Sequence, residues 1–300
     1  MPLSPFPIIS ITEAMILQDE PMGSKDKFWC QLSPMTAGGE RWLFKQPRPQ
    51  LENIEHLAEK IAREVAALLN VPCAHIELAD YQGIRGSISL EVQQPGEVLV
   101  HGDEVIAGRV TGYDRTKKRR TSDHTFEHIR KAILEVCKGN CEEDLRQFAG
   151  FLVLDALIGN TDRHHENWAL LRRESRQGVD YRLAPSFDHA SSLGREMRDE
   201  RRLLLLRENR LDAYIQNGPG AVYLAELGNQ AIPPIELVRR LVLTLPEYFR
   251  PWLGALENVT SERLDGIFKR IPADWISAAQ EQFAMALIRR ARQLMISFGK

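Results

Sequence analysis

Gly159 to Leu171 reads GNTDRHHENWALL, and this stretch decides the fold and the chemistry to be expected. It sets Asp162, His164, His165, Glu166 and Asn167 between an apolar, helix-like run ending at Ile158 and a strand-like run from Trp168. Asp162 and Asn167 stand five residues apart, and another acid, Asp188, follows in Ser186-Phe187-Asp188-His189. An acid, an amide five residues on and a second acid across a hairpin are the groups that magnesium-dependent phosphoryl transfer needs. One group orients the attacking hydroxyl, and two oxygen ligands hold the metal against nucleotide phosphates. The pattern predicts a phosphotransferase using ATP and Mg2+, with Asn167 and Asp188 placed to share one Mg2+.

A turn or cap explains Asn-Thr-Asp by itself, but not the concentration of polar side chains around it. His164 and His165, with Asp162 and Glu166, also admit a zinc or nuclease-type metal site. Against that reading, adjacent histidines on a loop point in different directions. One imidazole is expected to orient the loop, and Arg163 to pair with an acid or a phosphate. Asp155, among Phe151, Leu152, Leu154 and Ile158, reads as a buried structural hydrogen-bond partner.

Upstream, Phe28–Leu32 and Arg41–Lys45 read as a hairpin, stopped by Pro47 and Pro49. Ile54, Leu57, Ile61, Val65 and Leu68 recur at helical spacing, so Leu51–Asn70 is predicted to be a helix ended by Pro72. Strands at His75–Ala79 and Gly86–Glu91 follow, joined by Tyr81-Gln82-Gly83. Lys45 closes the hairpin and is expected to neutralise phosphates as a compact charge. Glu64 falls on the apolar face of the helix, where a carboxylate needs a partner, and Lys45 is the partner expected. Glu55 and Glu59 read as solvent-facing. Gly23, Ser24, Lys25 and Lys27, just before the first hairpin strand, suit a loop folded over phosphates, although they form no glycine-rich motif.

Beyond about residue 95 the pattern is helical: Phe126–Val136, Glu142–Ile158, Glu200–Tyr214, Pro234–Leu245 and Asp274–Phe298. The strand signal in this half is Trp168–Leu171 against Tyr181–Ala184. A small, mostly antiparallel sheet lobe (1–94) followed by a larger helical lobe (95–300) is a bilobal α+β plan, with ligands expected in the cleft.

The 300 residues are 43% apolar and 27% charged, as in ordinary globular proteins, and the net charge of −2 argues against direct DNA binding. Cys30, Cys73, Cys137 and Cys141 are scattered, with no export signal or membrane-length apolar run, which predicts a cytoplasmic protein with reduced thiols. The basic run Arg115 to Arg120 reads as a solvated loop or as a contact for an acidic partner.

The motifs NTDRHHENW, SFDHASSLG and WLFKQP, the tract VPCAHIELADYQGIRGSISLEV and the GEVLVHG after it resemble the HipA-like serine/threonine kinases and, through them, the type II phosphatidylinositol 4-kinases. The resemblance covers roughly residues 20 to 200 and implies a protein-kinase-like fold. It implies Lys45 as the nucleotide-phosphate lysine, Asp162 as the base, Asn167 and Asp188 as Mg2+ ligands, and Gly23–Lys27 as the phosphate-covering loop. Ser89 to Val92 would be the hinge, with Glu91 and Val92 meeting adenine, and His164 would stand beside the nucleotide. Autophosphorylation is implied, Ser24 resembling the phosphorylated loop serines of the family. HipA toxins carry a further N-terminal subdomain, whereas about twenty residues precede the loop here. The chain is therefore expected to be a stand-alone kinase core, for which an antitoxin partner or operator binding is not the expectation. The expected acceptor is a protein; alternatives are a lipid or small-molecule kinase and a nucleotide-binding regulatory module.

Overall fold

Residues 3–20, 27–32, 39–48, 52–117, 121–176 and 178–299 are described in a computed structural model of the chain. The first elements are β1 (Ile8–Ile11), β2 (Ile16–Asp19), β3 (Lys27–Cys30) and β4 (Trp42–Lys45). After them come α1 (Glu55–Leu69), β5 (Ile76–Tyr81) and β6 (Ile84–Leu90). Among the described residues these strands form one six-stranded sheet, in the order β1-β5-β6-β4-β3-β2. The pairing is antiparallel except for β1, which lies parallel to β5 along one edge. The hairpin predicted from Phe28 to Lys45 is present, with Phe28 opposite Phe44 and Cys30 opposite Trp42.

Strand alternation sorts the two faces of this sheet. Phe28, Cys30, Trp42, Phe44 and Ile88 share an apolar cluster on one face, so Lys45 and its ladder neighbours Lys27 and Ser87 fall on the other. Gly86 sits where a Cβ would lie 2.5 Å from the Phe44 ring and 2.7 Å from the Lys45 carbonyl oxygen. A side chain there would push on the strand that ends in Lys45.

Helix α1 ends at Asn70, whose left-handed φ of 58° closes it two residues before Pro72. Left-handed backbone is a conformation asparagine tolerates better than most residues. The β5–β6 turn uses Gln82 and Gly83, both at positive φ, as two-residue hairpins require.

The second part comprises β7 (Glu97–His101), α2 (Gly102–Ala107), α3 (Phe126–Val136), α4 (Cys141–Ile158), β8 (Ala169–Ser175) and β9 (Gly178–Leu183). Then follow α5 (Asp199–Arg207), α6 (Leu211–Asn217), α7 (Pro234–Thr244), α8 (Pro246–Ala255), α9 (Ser261–Phe268) and α10 (Ala278–Ile296). The helix expected over Glu200–Tyr214 is two helices, broken where Asn209 turns left-handed. The expected start at Asp274 moves to Ala278, because Ser277 and Gln280 form a reciprocal capping box. Strand β7 was not anticipated; it pairs with β8 in a second sheet, β7-β8-β9, with Leu99 opposite Leu171.

The main core joins α1 to α4, α8, α9 and α10. Helix α4 carries an unbroken buried run from Phe148 to Ile158 and delivers the chain to Asn160. From there the loop of Asp162 leads into β8.

Candidate active site

Lys45 points from β4 toward α1, where its Nζ lies 3.1 Å from Glu59 Oε1 and 3.7 Å from Asp188 Oδ1. Burial alone would lower the lysine pKa, but the carboxylates of Asp188 and Glu59 more than offset it and hold the ammonium charged. Glu59 is 2% exposed and accepts a second hydrogen bond, from the His189 backbone N–H at 3.0 Å. One carboxylate thus joins β4, α1 and the loop that carries Asp188.

The expected pairing of Lys45 with Glu64 is incorrect. Glu64 binds Lys60 at 2.9 Å, one helical turn away on α1, and Lys60 is held also by Glu77 and the Ile76 carbonyl. Five residues separate Glu59 from Glu64, about 7.5 Å along the axis and about 140° around it, so the two cannot exchange roles. Periodicity misled here because α1 has no solvent face in its first half: every residue from Glu55 to Ala62 is buried. Glu59 therefore carried no signal distinct from its neighbours, and only the packing reveals it.

In the loop after α4, Arg163 is the tie. Its guanidinium grips both oxygens of Asp155 at 2.8 Å, and it also donates to the carbonyls of Asn167 (2.6 Å) and Phe187 (3.2 Å) and to Ser186 Oγ (3.0 Å). Asp155 accepts from Asn160 Nδ2 as well, at 2.7 Å. The structural role expected of Asp155 and the acid expected for Arg163 are each other. Through this one side chain, the Asp162–Asn167 loop and the Phe187–Asp188 turn hang from α4.

Asp162 is half-buried; its backbone carbonyl accepts from Asn167 Nδ2 at 2.6 Å, and its carboxylate Oδ2 accepts from Ser191 Oγ–H at 3.1 Å. With Nδ2 engaged, the Asn167 amide has its Oδ1 to offer a cation. Asp188, with a left-handed φ of 58° and a side chain 38% exposed, offers a carboxylate. Two oxygen donors of this kind suit Mg2+, which commonly takes one or two protein ligands and completes its shell with phosphates and water. They suit zinc poorly, and no cluster of three or more His, Cys, Asp or Glu able to hold a metal occurs among the described residues.

The paired histidines diverge. His165 is buried, with Nδ1 2.8 Å from the Tyr113 hydroxyl, and its carbonyl accepts from the Asp103 N–H. His164 is half-buried and turns its Nδ1 to the Glu166 N–H at 3.2 Å. Gly102 lets α2 approach this loop; a Cβ there would lie 2.2 Å from the Trp168 ring.

Of the expected phosphate-loop residues, Gly23, Ser24 and Lys25 lie outside the described residues. Lys27 is in β3, directly opposite Lys45 in the ladder, and cross-strand partners share a face. At the expected hinge, Glu91 donates its backbone N–H to the Arg41 carbonyl at 2.9 Å, and its side chain accepts from Arg41 Nη1 at 3.0 Å. Burial raises the Glu91 pKa, with Arg41 opposing. Val92 follows outside the strands, on the way to β7. In the basic run, Arg115 binds Asp103 and Glu104, and Lys117 lies near Asp114; residues 118–120 lie outside the described set.

Residues 21–218 match the model of the HipA-like C-terminal domain. The chain belongs to this family. Among solved structures it is similar to the Helicobacter pylori proinflammatory kinase CtkA, with a TM-score of 0.78 and 19% identity over 98% of this chain and 97% of that one. It is also similar to a chain of the Shewanella oneidensis MR-1 toxin–antitoxin complex of HipA, HipB and operator DNA. There the TM-score is 0.54 and the identity 11%, over 94% of this chain and 65% of that one. No curated protein matches the sequence significantly. What these structures share with the HipA-like chain is the bilobal, protein-kinase-like α+β fold anticipated from its motifs. No described helix is long and apolar enough to cross a membrane.

Proposed function

We propose that the chain is an ATP- and Mg2+-dependent phosphotransferase that acts on serine or threonine hydroxyls of a protein acceptor. The observation that carries this reading is the Lys45 ammonium, held 3.1 Å from Glu59 and 3.7 Å from Asp188. A half-buried lysine fixed by a helix glutamate, beside an aspartate that serves as a metal ligand in this reading, is the set of parts that phosphoryl transfer uses.

In this reading the nucleotide lies in the cleft between residues 1–94 and 95–300. Its adenine meets the Glu91 carbonyl and the Val92 backbone, because the Glu91 N–H is already engaged. Lys45 neutralises the phosphates, helped by Lys27 and by the Gly23-Ser24-Lys25 segment. His164 stands beside the nucleotide as part of the loop. Asn167 Oδ1 and the Asp188 carboxylate would hold Mg2+, which when bound neutralises charge on the phosphates. Asp162 orients the acceptor hydroxyl and takes its proton as the oxygen–phosphorus bond forms. The fit of a serine hydroxyl against Asp162, seen at Ser191, supports an aliphatic alcohol as acceptor.

The test is transfer from γ-labelled ATP with Mg2+ to dephosphorylated casein, comparing the wild type with Asp162→Asn. General-base removal should lower the rate by about 100-fold or more. Equal rates in the two proteins would remove Asp162 from this role. Absence of both transfer and ATP binding would overturn the kinase reading.

A further inference from the structure

Next to the proposed transfer site, two guanidiniums converge on one surface carboxylate. Arg48, three residues past Lys45, donates from Nη1 to Glu196 Oε1 at 2.7 Å, and Arg195 Nη2 lies 3.3 Å from the same oxygen. Both arginines are fixed from behind by Glu55, whose side chain is 2% exposed. Its Oε2 accepts the Arg48 backbone N–H at 3.0 Å, and its Oε1 lies 3.3 Å from Arg195 Nε. The Arg195 carbonyl also accepts from the Ile54 N–H at 3.1 Å. Glu196 differs from its partners: its side chain is 45% exposed, against 25% for Arg48 and 17% for Arg195.

An ordinary surface ion pair joins two long, solvated side chains and contributes little. Here the two cations are held in advance and the anion is the solvated member, as in a receptor with a replaceable carboxylate. Without Glu196, the two arginines share Glu55, and the three groups carry a net positive charge. The position of the pair gives it a use. Ser191 Oγ–H donates to Asp162 Oδ2 at 3.1 Å and so marks where an acceptor hydroxyl would lie. Glu196 follows five residues later, across turns in which the Arg195 N–H donates to the Ser192 carbonyl (3.1 Å) and the Met197 N–H to the Gly194 carbonyl (3.0 Å). Turns shorten the span, so about three or four residues of extended peptide cover the same distance.

We propose that Arg48 and Arg195 form a specificity subsite for an acidic side chain of the protein acceptor, filled by Glu196 in the resting chain. This rests on the protein-kinase reading above. The acceptor's Asp or Glu carboxylate displaces Glu196 from the two guanidiniums as the acceptor hydroxyl reaches Asp162. Guanidiniums suit this exchange because they stay charged and present paired N–H donors to a carboxylate. An acceptor with a neutral residue at that place leaves Glu196 where it is and gains nothing from the pair.

The test uses the full chain with Mg2+ and γ-labelled ATP on synthetic peptides that hold one serine among neutral residues. A series carries a single Glu, or Gln in its place, at each position from four before the serine to four after it. Three or four residues from the serine, on one side, the Glu peptide should exceed its Gln partner in kcat/KM by about tenfold, mainly through KM. The same peptides, added as inhibitors of transfer to dephosphorylated casein, should rank in the same order. Higher ionic strength should shrink the ratio, since the site is partly open to solvent. Arg48→Gln should bring the ratio close to one, whereas Glu196→Gln, which removes the internal competitor, should raise it. Arg195 is kept in both variants because its loss would strand the buried Glu55 carboxylate. Equal values for Glu and Gln peptides in both assays would overturn the subsite and leave the kinase reading intact. So would a ratio that survives Arg48→Gln, or one that Glu196→Gln fails to raise. Absence of transfer to casein and to every peptide would overturn the protein-kinase reading and this inference with it.

Discussion

At the scale of single residues, the pairing of Lys45 decides how the site is held. Glu59 is buried, and its carboxylate is shared between an ammonium and a backbone N–H. Removing one partner of a buried pair is costly because the other charge stays behind uncompensated. Glu59→Gln is therefore expected to lower kcat/KM for ATP by about 100-fold, roughly 2.7 kcal/mol of transition-state stabilisation. Glu64→Gln should change it less than about threefold, since Lys60 keeps Glu77 and the Ile76 carbonyl. Steady-state kinetics on the two variants checks both values, and the reverse ranking would restore Glu64. The sequence made Lys45, Asp162, Asn167 and Asp188 legible through residue type, order and spacing. It could not separate Glu59 from Glu64, because the half of α1 that carries Glu59 is buried on every side and no polar stripe marks an outer face there.

At the scale of elements, α4, the Asp162–Asn167 loop and the Phe187–Asp188 turn meet at Arg163. This arrangement follows from the chain path: α4 ends at Gly159 with a left-handed φ of 68°, and β8 and β9 return the chain beside its own loop. The buried Asp155–Arg163 pair is bidentate, with two contacts of 2.8 Å. Asp155→Ala should destabilise the fold by about 3–5 kcal/mol, since it strands a buried guanidinium. Urea unfolding measures this, and a loss below about 1 kcal/mol would show that the carbonyls of Asn167 and Phe187 suffice. Most elements could be read from the pattern of apolar residues, because the hairpins, α3 and α7 each have one clear repeat and α4 is a long apolar run. Strand β7 could not, since its partner β8 lies about seventy residues later. An edge strand half exposed to solvent has no strong pattern of its own.

At the scale of the whole molecule, the N-terminal segment and the region before α10 are fastened to α1 and β6. The Phe6 ring stacks against Lys60 (4.4 Å) from α1 and Arg270 (4.1 Å), and its N–H donates to the Arg270 carbonyl at 2.6 Å. Arg85 lies over Trp275 and binds Asp274, while His56 of α1 packs edge-on against Trp275. This burial sets the pH response. Burial pushes the His124 pKa down to about 3, although its Nδ1–H donates to the Ala221 carbonyl and its Nε2 accepts from the Trp168 indole. His56 is pushed down to about 4 by burial, with Arg85 adding to the effect. Both histidines take up a proton near pH 6.5 once unfolded and resist it when folded, so the unfolded state binds more protons below that pH. Stability should be level above about pH 7 and fall between about pH 6.5 and 5, by about 1.4 kcal/mol per pH unit for each histidine. His124→Gln should reduce that slope by the share of one proton in urea titrations, and an unchanged slope would exclude His124 as a source.

Residue types and their spacing were enough for the family and the fold class, and they nominate the polar residues proposed for the site. Hydrophobic periodicity fixes helices and strands locally, and few residue types can serve as base, phosphate lysine and Mg2+ ligand. Packing alone reveals which carboxylate holds Lys45, that Arg163 ties the loops to α4, and that the Ser191 hydroxyl lies against Asp162. Those contacts join residues from 8 to 29 positions apart, and a contact between separate segments depends on how helices and sheets pack. No local pattern in the chain records it.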